Sequence, residues 1–307
     1  MTTPPAEVQA YHQAASSRAI QIYIAGLGPA PLAFEWRQVV RGVRKQILRT
    51  LIATEGLRHI VGELERSGAS LLVLRHLFAP PISQDQLKLI CPLYPKGAEK
   101  NGTKLPHAAA HEFAEAFAAR RDPKLTAWLA GNSNPTRRQV KKLLDTLTPM
   151  ISRQIFDTER RNRMSEEQEK AVETLLLGKG WQKAASTAVN TPADLPPEKY
   201  MRKTRAKASA TAMKEVDIAC GVRTDLLLAM ECKVSNDATN SVKRVGDVLD
   251  KAKSWQATWG VFIQTAALLQ GVVAYKDVAR LLQTDIAVFW SHDLQRFADW
   301  LDQNRTP

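Results

Sequence analysis

Only three cysteines occur in the 307 residues, Cys91, Cys220 and Cys232, and no two form a CxxC pair. That leaves no paired-thiol motif and suits a reducing compartment, with packed, unreactive positions expected for all three. Long apolar runs are missing as well. GVFIQTAALLQGVVAY, at 260–275, is too short and too interrupted to span a bilayer. The opening MTTPPAEVQAYHQAASS lacks the basic start and apolar stretch of a secretory signal, so a cytoplasmic location without a membrane partner is expected. Neither glycine nor proline is in excess, and there is no internal repeat or low-complexity tract. The absence of a Walker A pattern and of GxSxG argues against an ATP-driven enzyme or a serine hydrolase. GLGPAP at 26–31 lacks the third glycine of a dinucleotide loop and reads as a turn. His107 and His111 are four apart in HAAAHE without an evident third metal ligand.

What is present is a globular composition, 44% hydrophobic and 24% charged, with a formal net charge of +12. The charge is uneven. Residues 1–150 hold 20 Lys and Arg against 11 Asp and Glu, whereas residues 151–307 hold 23 against 20. The front half is therefore the electropositive one, which suits either a polyanion-gripping part or a solvated basic surface. Its apolar residues recur at three- and four-residue spacing, with Arg37, Arg41, Arg44, Lys45 and Arg49 between them, so residues 1–160 read as a mostly helical, basic domain, expected to grip or read DNA. A long basic helix follows residue 134, kinked or broken at Pro149. From 161 to 307 the texture alternates. A helix N-capped by Ser165 comes first, then a strand at WQKAAS and a basic loop at 189–212. Two strands follow, then a helix, a strand, a short helix, a strand and a closing helix. The expected fold class is α/β (α+β): a mixed sheet flanked by helices, preceded by the helical domain. Trp255 and Trp259, one turn apart, should pack into the core.

The pair of strands in KEVDIACGVRTDLLLAMECKVSND, residues 214–237, poses the chemical question. Alternation puts Glu231 and Lys233 on one face and Cys232 on the other; on the preceding strand it puts Val216 and Ile218 together and Asp217 opposite. A hairpin through GVRT then brings Asp217 towards Glu231 and Lys233. Charges on a hydrophobic hairpin are costly unless paired, bound to metal or lining a cleft. Two neighbouring carboxylates favour a hard divalent cation, typically Mg²⁺, and an adjacent lysine is able to orient or deprotonate a water and to stabilise charge on a phosphate. A salt-bridged solvent face is the plain alternative.

Asp217, thirteen intervening residues and then ECK at 231–233 on a hydrophobic strand resemble the PD-(D/E)xK nuclease core, with EVD standing where that family has its proline. Glu169 precedes Gly180–Trp181 by about three turns, as the glutamate of the first core helix does, and Glu173 is its fallback. Across residues 165–300, MRKTRAKAS, KEVDIACG, LLLAMECKVSNDATNSVKR and FWSHDL are similar to the XamI-type branch of type II restriction endonucleases. The resemblance implies that Asp217, Glu231 and the main-chain carbonyl of Cys232 ligate Mg²⁺. Lys233 would meet the attacking water or the scissile phosphate, and Glu169 would support the site.

Phosphate contacts are expected from Arg202, Lys203, Arg205 and Lys207 in the basic loop, and from Asn240, Lys243 and Arg244 at the start of the next helix. The partner implied is double-stranded DNA, cut at a short specific sequence by a homodimer, with a cognate methyltransferase in the same host. A structure-specific repair or recombination nuclease, and a non-cleaving DNA-binding protein on a nuclease fold, are the alternatives.

Overall fold

In the computed structural model, which describes residues 4–95, 97–100 and 102–305, the chain divides into two compact units. One comprises Pro29–Glu159; the other joins Met1–Gly28 to Arg160–Pro307. Helix α1 (Ala6–Ala25) therefore packs with the C-terminal part of the chain, although it precedes the helical unit in sequence.

The helical unit is built from α2 (Pro29–Ala53), α3 (Ile60–Arg66), α4 (Leu71–Arg75), α5 (Gln84–Ile90), α6 (His107–Arg120) and the first part of α7 (Arg137–Gly178). Ile47, Leu64, Leu74, Phe113 and Leu147 lie fully buried at its centre. A charged side chain is buried there too: Arg75 donates to Glu99, to the carbonyl of Ile82 and to Gln154, so its donors are met inside the core. GLGPAP is a turn at Gly26 and Leu27, as expected, but from Pro29 onwards it already belongs to α2. The rings of His107 and His111 meet edge to face with centroids 4.2 Å apart, and no set of three metal-ligating side chains exists among the described residues.

Helix α7 runs unbroken through Pro149, and Ser165 lies inside it. The expected break and the expected N-cap at Ser165 are thus corrected. Leu147 and Ile151 flank Pro149 in the helical core, and Val172 and Leu176 bury the later turns against the sheet, which offsets the one lost backbone bond.

The second unit holds a seven-stranded mixed sheet: β1 (Gln182–Lys183), β2 (Ala188–Val189), β3 (Lys199–Lys207), β4 (Met213–Arg223), β5 (Leu226–Ser235), β6 (Ile263–Gly271) and β7 (Ala287–Trp290). The order is β1-β3-β4-β5-β6-β7, with β2 also on β3. β4 runs antiparallel to both β3 and β5, whereas β5, β6 and β7 are parallel. Parallel neighbours need crossovers, here α8 (Ala238–Trp259) and α9 (Tyr275–Leu282), and both lie with α1 on one face. The end of α7 and α10 (Gln295–Arg305) cover the other, around Trp181, Leu228, Phe289 and Phe297. Trp255 and Trp259 are buried under α8, as their spacing implied. Among the described residues no helix is long and apolar enough to cross a membrane.

One expected loop is a strand. Lys199–Lys207 alternates buried Tyr200, Thr204 and Ala206 with charged positions and pairs with β4 along its length. Its density of Lys and Arg masks a strand whose buried side chains are Tyr200, Met201, Thr204 and Ala206.

Helix α1 is held on the sheet by polar contacts at its buried face. Ser16 donates to the carbonyl of Val273, and Trp290 Nε1 donates to His12 Nδ1 at 3.1 Å. Burial, with Arg296 adding, holds the His12 imidazole down at about 4. A folded-state value below the unfolded one means that the unfolded chain takes up the proton first. The contribution of His12 to stability is thus present above about 6.5 and lost as pH falls towards 4. Urea titrations between these limits should show a steeper loss for the wild type than for His12→Gln; parallel curves would contradict it.

Candidate active site

The hairpin of β4 and β5 turns through Thr224 and Asp225, and its ladder runs from Arg223–Leu226 down to Ile218–Met230. There it stops. Beyond Ile218, β4 continues to pair with β3 alone. The next pair would have been Asp217 with Glu231. Instead the backbone N–H of Cys232 donates to Asp217 Oδ2 at 2.8 Å, so a carboxylate takes the place of a ladder carbonyl. That bond orients Asp217 at the opening between the strands.

The side-chain alternation expected around Asp217 is corrected. Ile218 packs in the core under α7 and α10, whereas Val216 joins the core under α8. On the neighbouring strand Lys203 adopts φ 53°, and the β3–β4 ladder passes from Arg202–Ile218 to Thr204–Val216 without a Lys203–Asp217 pair. A left-handed residue reverses the pleat locally, and both strands change face there.

Glu231 lies on β5, between β4 and the parallel β6, and is fully buried. Its Oε2 accepts from Lys233 Nζ and from Lys251 Nζ, each at 2.7 Å. Its Oε1 is buried with no hydrogen-bond partner. Burial raises the pKa of this carboxyl, Asp217 adds to the rise, and the two lysines oppose it. Lys233 also stands 3.7 Å from Asp217 Oδ2. Burial alone would lower its pKa, but Glu231 and Asp217 outweigh that and raise it, so the side chain stays an ammonium ion. A bare, buried carboxylate oxygen beside a second carboxylate is costly unless a cation meets it. Asp217 and Glu231 offer oxygen donors alone, the kind of donor that a hard divalent ion takes.

Lys251, which sequence reasoning missed, comes from α8 and also donates to the carbonyl of Glu215 at 2.8 Å. It lies eighteen residues after Lys233 in sequence, and only the crossover helix lying over β5 joins them. Nothing in its local sequence sets it apart from Lys253.

Glu169 is buried on α7, and its Oε2 accepts from Arg202 Nε at 2.8 Å with Lys203 Nζ at 3.4 Å. Arg202 spans Glu166, Glu169 and Glu173, three carboxylates on one helix face, and is thereby the least free of the expected phosphate contacts. Glu173 also accepts from Tyr200 and pairs with Lys183, whose hydrogen bond lowers its pKa first and foremost. Arg205 and Lys243 are exposed, Lys207 and Arg244 half-buried. Asn240 is tied to Asp237, the N-cap of α8, through both its backbone and its side-chain nitrogen. Burial pushes the thiols of Cys220 and Cys232 well above their usual range, and at Cys232 the charges of Asp217, Glu169 and Glu231 add to it.

The family of XamI restriction endonucleases matches residues 55–290. A relative, Type II restriction enzyme XamI from Xanthomonas campestris pv. amaranthicola, is 30% identical over 191 residues, covering 61% of this chain and 66% of that protein. The chain thus spans just under two thirds of that relative's length. Among solved structures, the crystal structure of protein VC1899 from Vibrio cholerae is similar at a TM-score of 0.31 and 10% identity, covering 91% of this chain and 57% of that one.

The bond from Cys232 N–H separates two substitutions at Asp217. Asp217→Ala should lower stability by about 1 kcal/mol by leaving that N–H unmet, while Asp217→Asn retains an acceptor and should unfold near the wild-type midpoint. Equal denaturant midpoints for the two variants would contradict the assigned bond.

Proposed function

Since the chain belongs to the XamI restriction endonuclease family, we propose that it is a type II restriction endonuclease that hydrolyses phosphodiester bonds of double-stranded DNA at a short specific sequence, with Mg²⁺. The observation that carries the proposal is that Asp217 and Lys233 stand beside Glu231, whose Oε1 is buried and unpartnered, where β4 leaves β5. Residues 55–290, over which the family matches, include every one of these groups.

Asp217, Glu231 and the main-chain carbonyl of Cys232 would hold the cation. When bound, Mg²⁺ supplies a more acidic water and offsets charge on the phosphate. The chain's own residues do the rest. Lys233 orients the attacking water or neutralises the charge that grows on the scissile phosphate. Lys251 keeps Glu231 Oε2 occupied, which leaves Oε1 for the cation. Glu169 supports the site from α7 and is itself steadied by Arg202 and Lys203. Lys203, Arg205, Lys207, Asn240, Lys243 and Arg244 contact backbone phosphates. Cutting both strands symmetrically calls for two such sites, hence a homodimer, and a methyltransferase in the same host protects its DNA.

Unmethylated phage DNA incubated with the protein should give discrete fragments with Mg²⁺ and none with EDTA. Lys233→Ala should slow cleavage by about a hundredfold or more. A uniform smear would remove sequence specificity from the proposal, and cutting confined to branched DNA would make the protein a structure-specific nuclease. Salt-sensitive binding without any cleavage would leave a DNA-binding protein on a nuclease fold.

A further inference from the structure

The cleavage chemistry makes no use of a strongly basic helix face on α2. Arg37, Arg41, Arg44, Lys45 and Arg49 of α2 are all exposed, while Val43, Ile47, Thr50 and Leu51 of the same helix are buried. At 3.6 residues per turn the five basic positions fall within an arc of about 140°, on the side away from the core, and rise about 18 Å along the axis. Glu35 is the one acid in α2 and precedes them all. Arg41, Arg44, Lys45 and Arg49 take part in no ion pair or side-chain hydrogen bond among the described residues.

Apolar side chains are interleaved with this charge. Leu48 and Ile52 lie on the same arc, and Ile52 is 78% exposed. Together with Val140 they line a cleft of about 470 Å³ between the end of α2 and the start of α7. At its rim Arg58 donates to Asn134 at 2.6 Å. The first six residues of α7 add Arg137, Arg138, Lys141 and Lys142, all exposed. The nine like charges of these two helix stretches repel each other, Glu55 being the one acid that lines the cleft, and a polyanion relieves that repulsion. A second copy of the same face would bring like charges together, which disfavours self-association there.

We propose that the outward face of α2, with the start of α7, is a docking surface for duplex DNA. The basic residues meet phosphates, and Leu48 and Ile52 pack against sugars or thymine methyls. The inference rests on the nuclease reading and extends it, because it assigns DNA contact to residues of the helical unit.

The test uses the full chain, a duplex that the wild type cuts, and EDTA to prevent cleavage while binding is measured across a KCl series. The combined variant Arg41→Ala, Arg44→Ala, Arg49→Ala should bind about tenfold or more weakly at low salt. Its slope of log affinity against log salt should fall by about 2 to 3, with an unchanged melting temperature since all three side chains are exposed. Ile52→Glu should weaken binding as well. Wild-type affinity and slope in the combined variant, with the wild type still cutting, would overturn this surface and leave the nuclease reading intact. Unchanged DNA binding by Ile52→Glu together with loss of a dimer in sedimentation would give the face to a second copy. A wild type that neither binds nor cuts duplex DNA would overturn both.

Discussion

The parting of β4 from β5 after the Ile218–Met230 pair creates a setting in which a carboxylate on one strand serves the backbone of the other. A continuous ladder would have satisfied the Cys232 N–H with a carbonyl and closed the gap. Because β4 stays with β3 there, Asp217 Oδ2 must accept that N–H, and the need to satisfy a backbone donor fixes where the carboxylate stands. Glu231 is then caught on an interior strand, covered by α8, with two ammonium groups on one oxygen and none on the other. The asymmetry leaves one oxygen facing an unmet electrostatic demand, and that demand is the basis for assigning a cation.

The carboxylates of α7 face a different arrangement on the same sheet. Glu166, Glu169 and Glu173, spaced three and four apart, line up towards Arg202, whose planar fork reaches all three. Lys203 joins them because its left-handed φ places two successive residues of β3 on one side. Opposite charges are therefore largely matched around Glu169 and Glu231, while Arg41, Arg44, Lys45 and Arg49 of α2 have no acidic partner among the described residues. Residues 1–150 hold 20 Lys and Arg against 11 Asp and Glu, and charge left without a counter-charge is able to act on a partner.

Much of this was open to reading in the sequence. Period-two and helical spacing located the hairpin, α8, α9 and α10, and the triad of Asp217, Glu231 and Lys233 stood out because charges are rare on strands as apolar as β5. Local pattern determined those elements, since burial on a sheet or helix face imposes its period directly on the chain. The same pattern misled at β3, whose charges conceal a strand, and at Pro149 and Ser165, where packing against two cores carries one helix past residues that locally favour an end. Tertiary structure alone decided that Val216 and Ile218 face different cores, that Lys251 shares Glu231 with Lys233, and that Arg202 holds Glu169. Each depends on which strand or helix lies alongside, and that neighbour is distant in sequence and leaves no period in the chain.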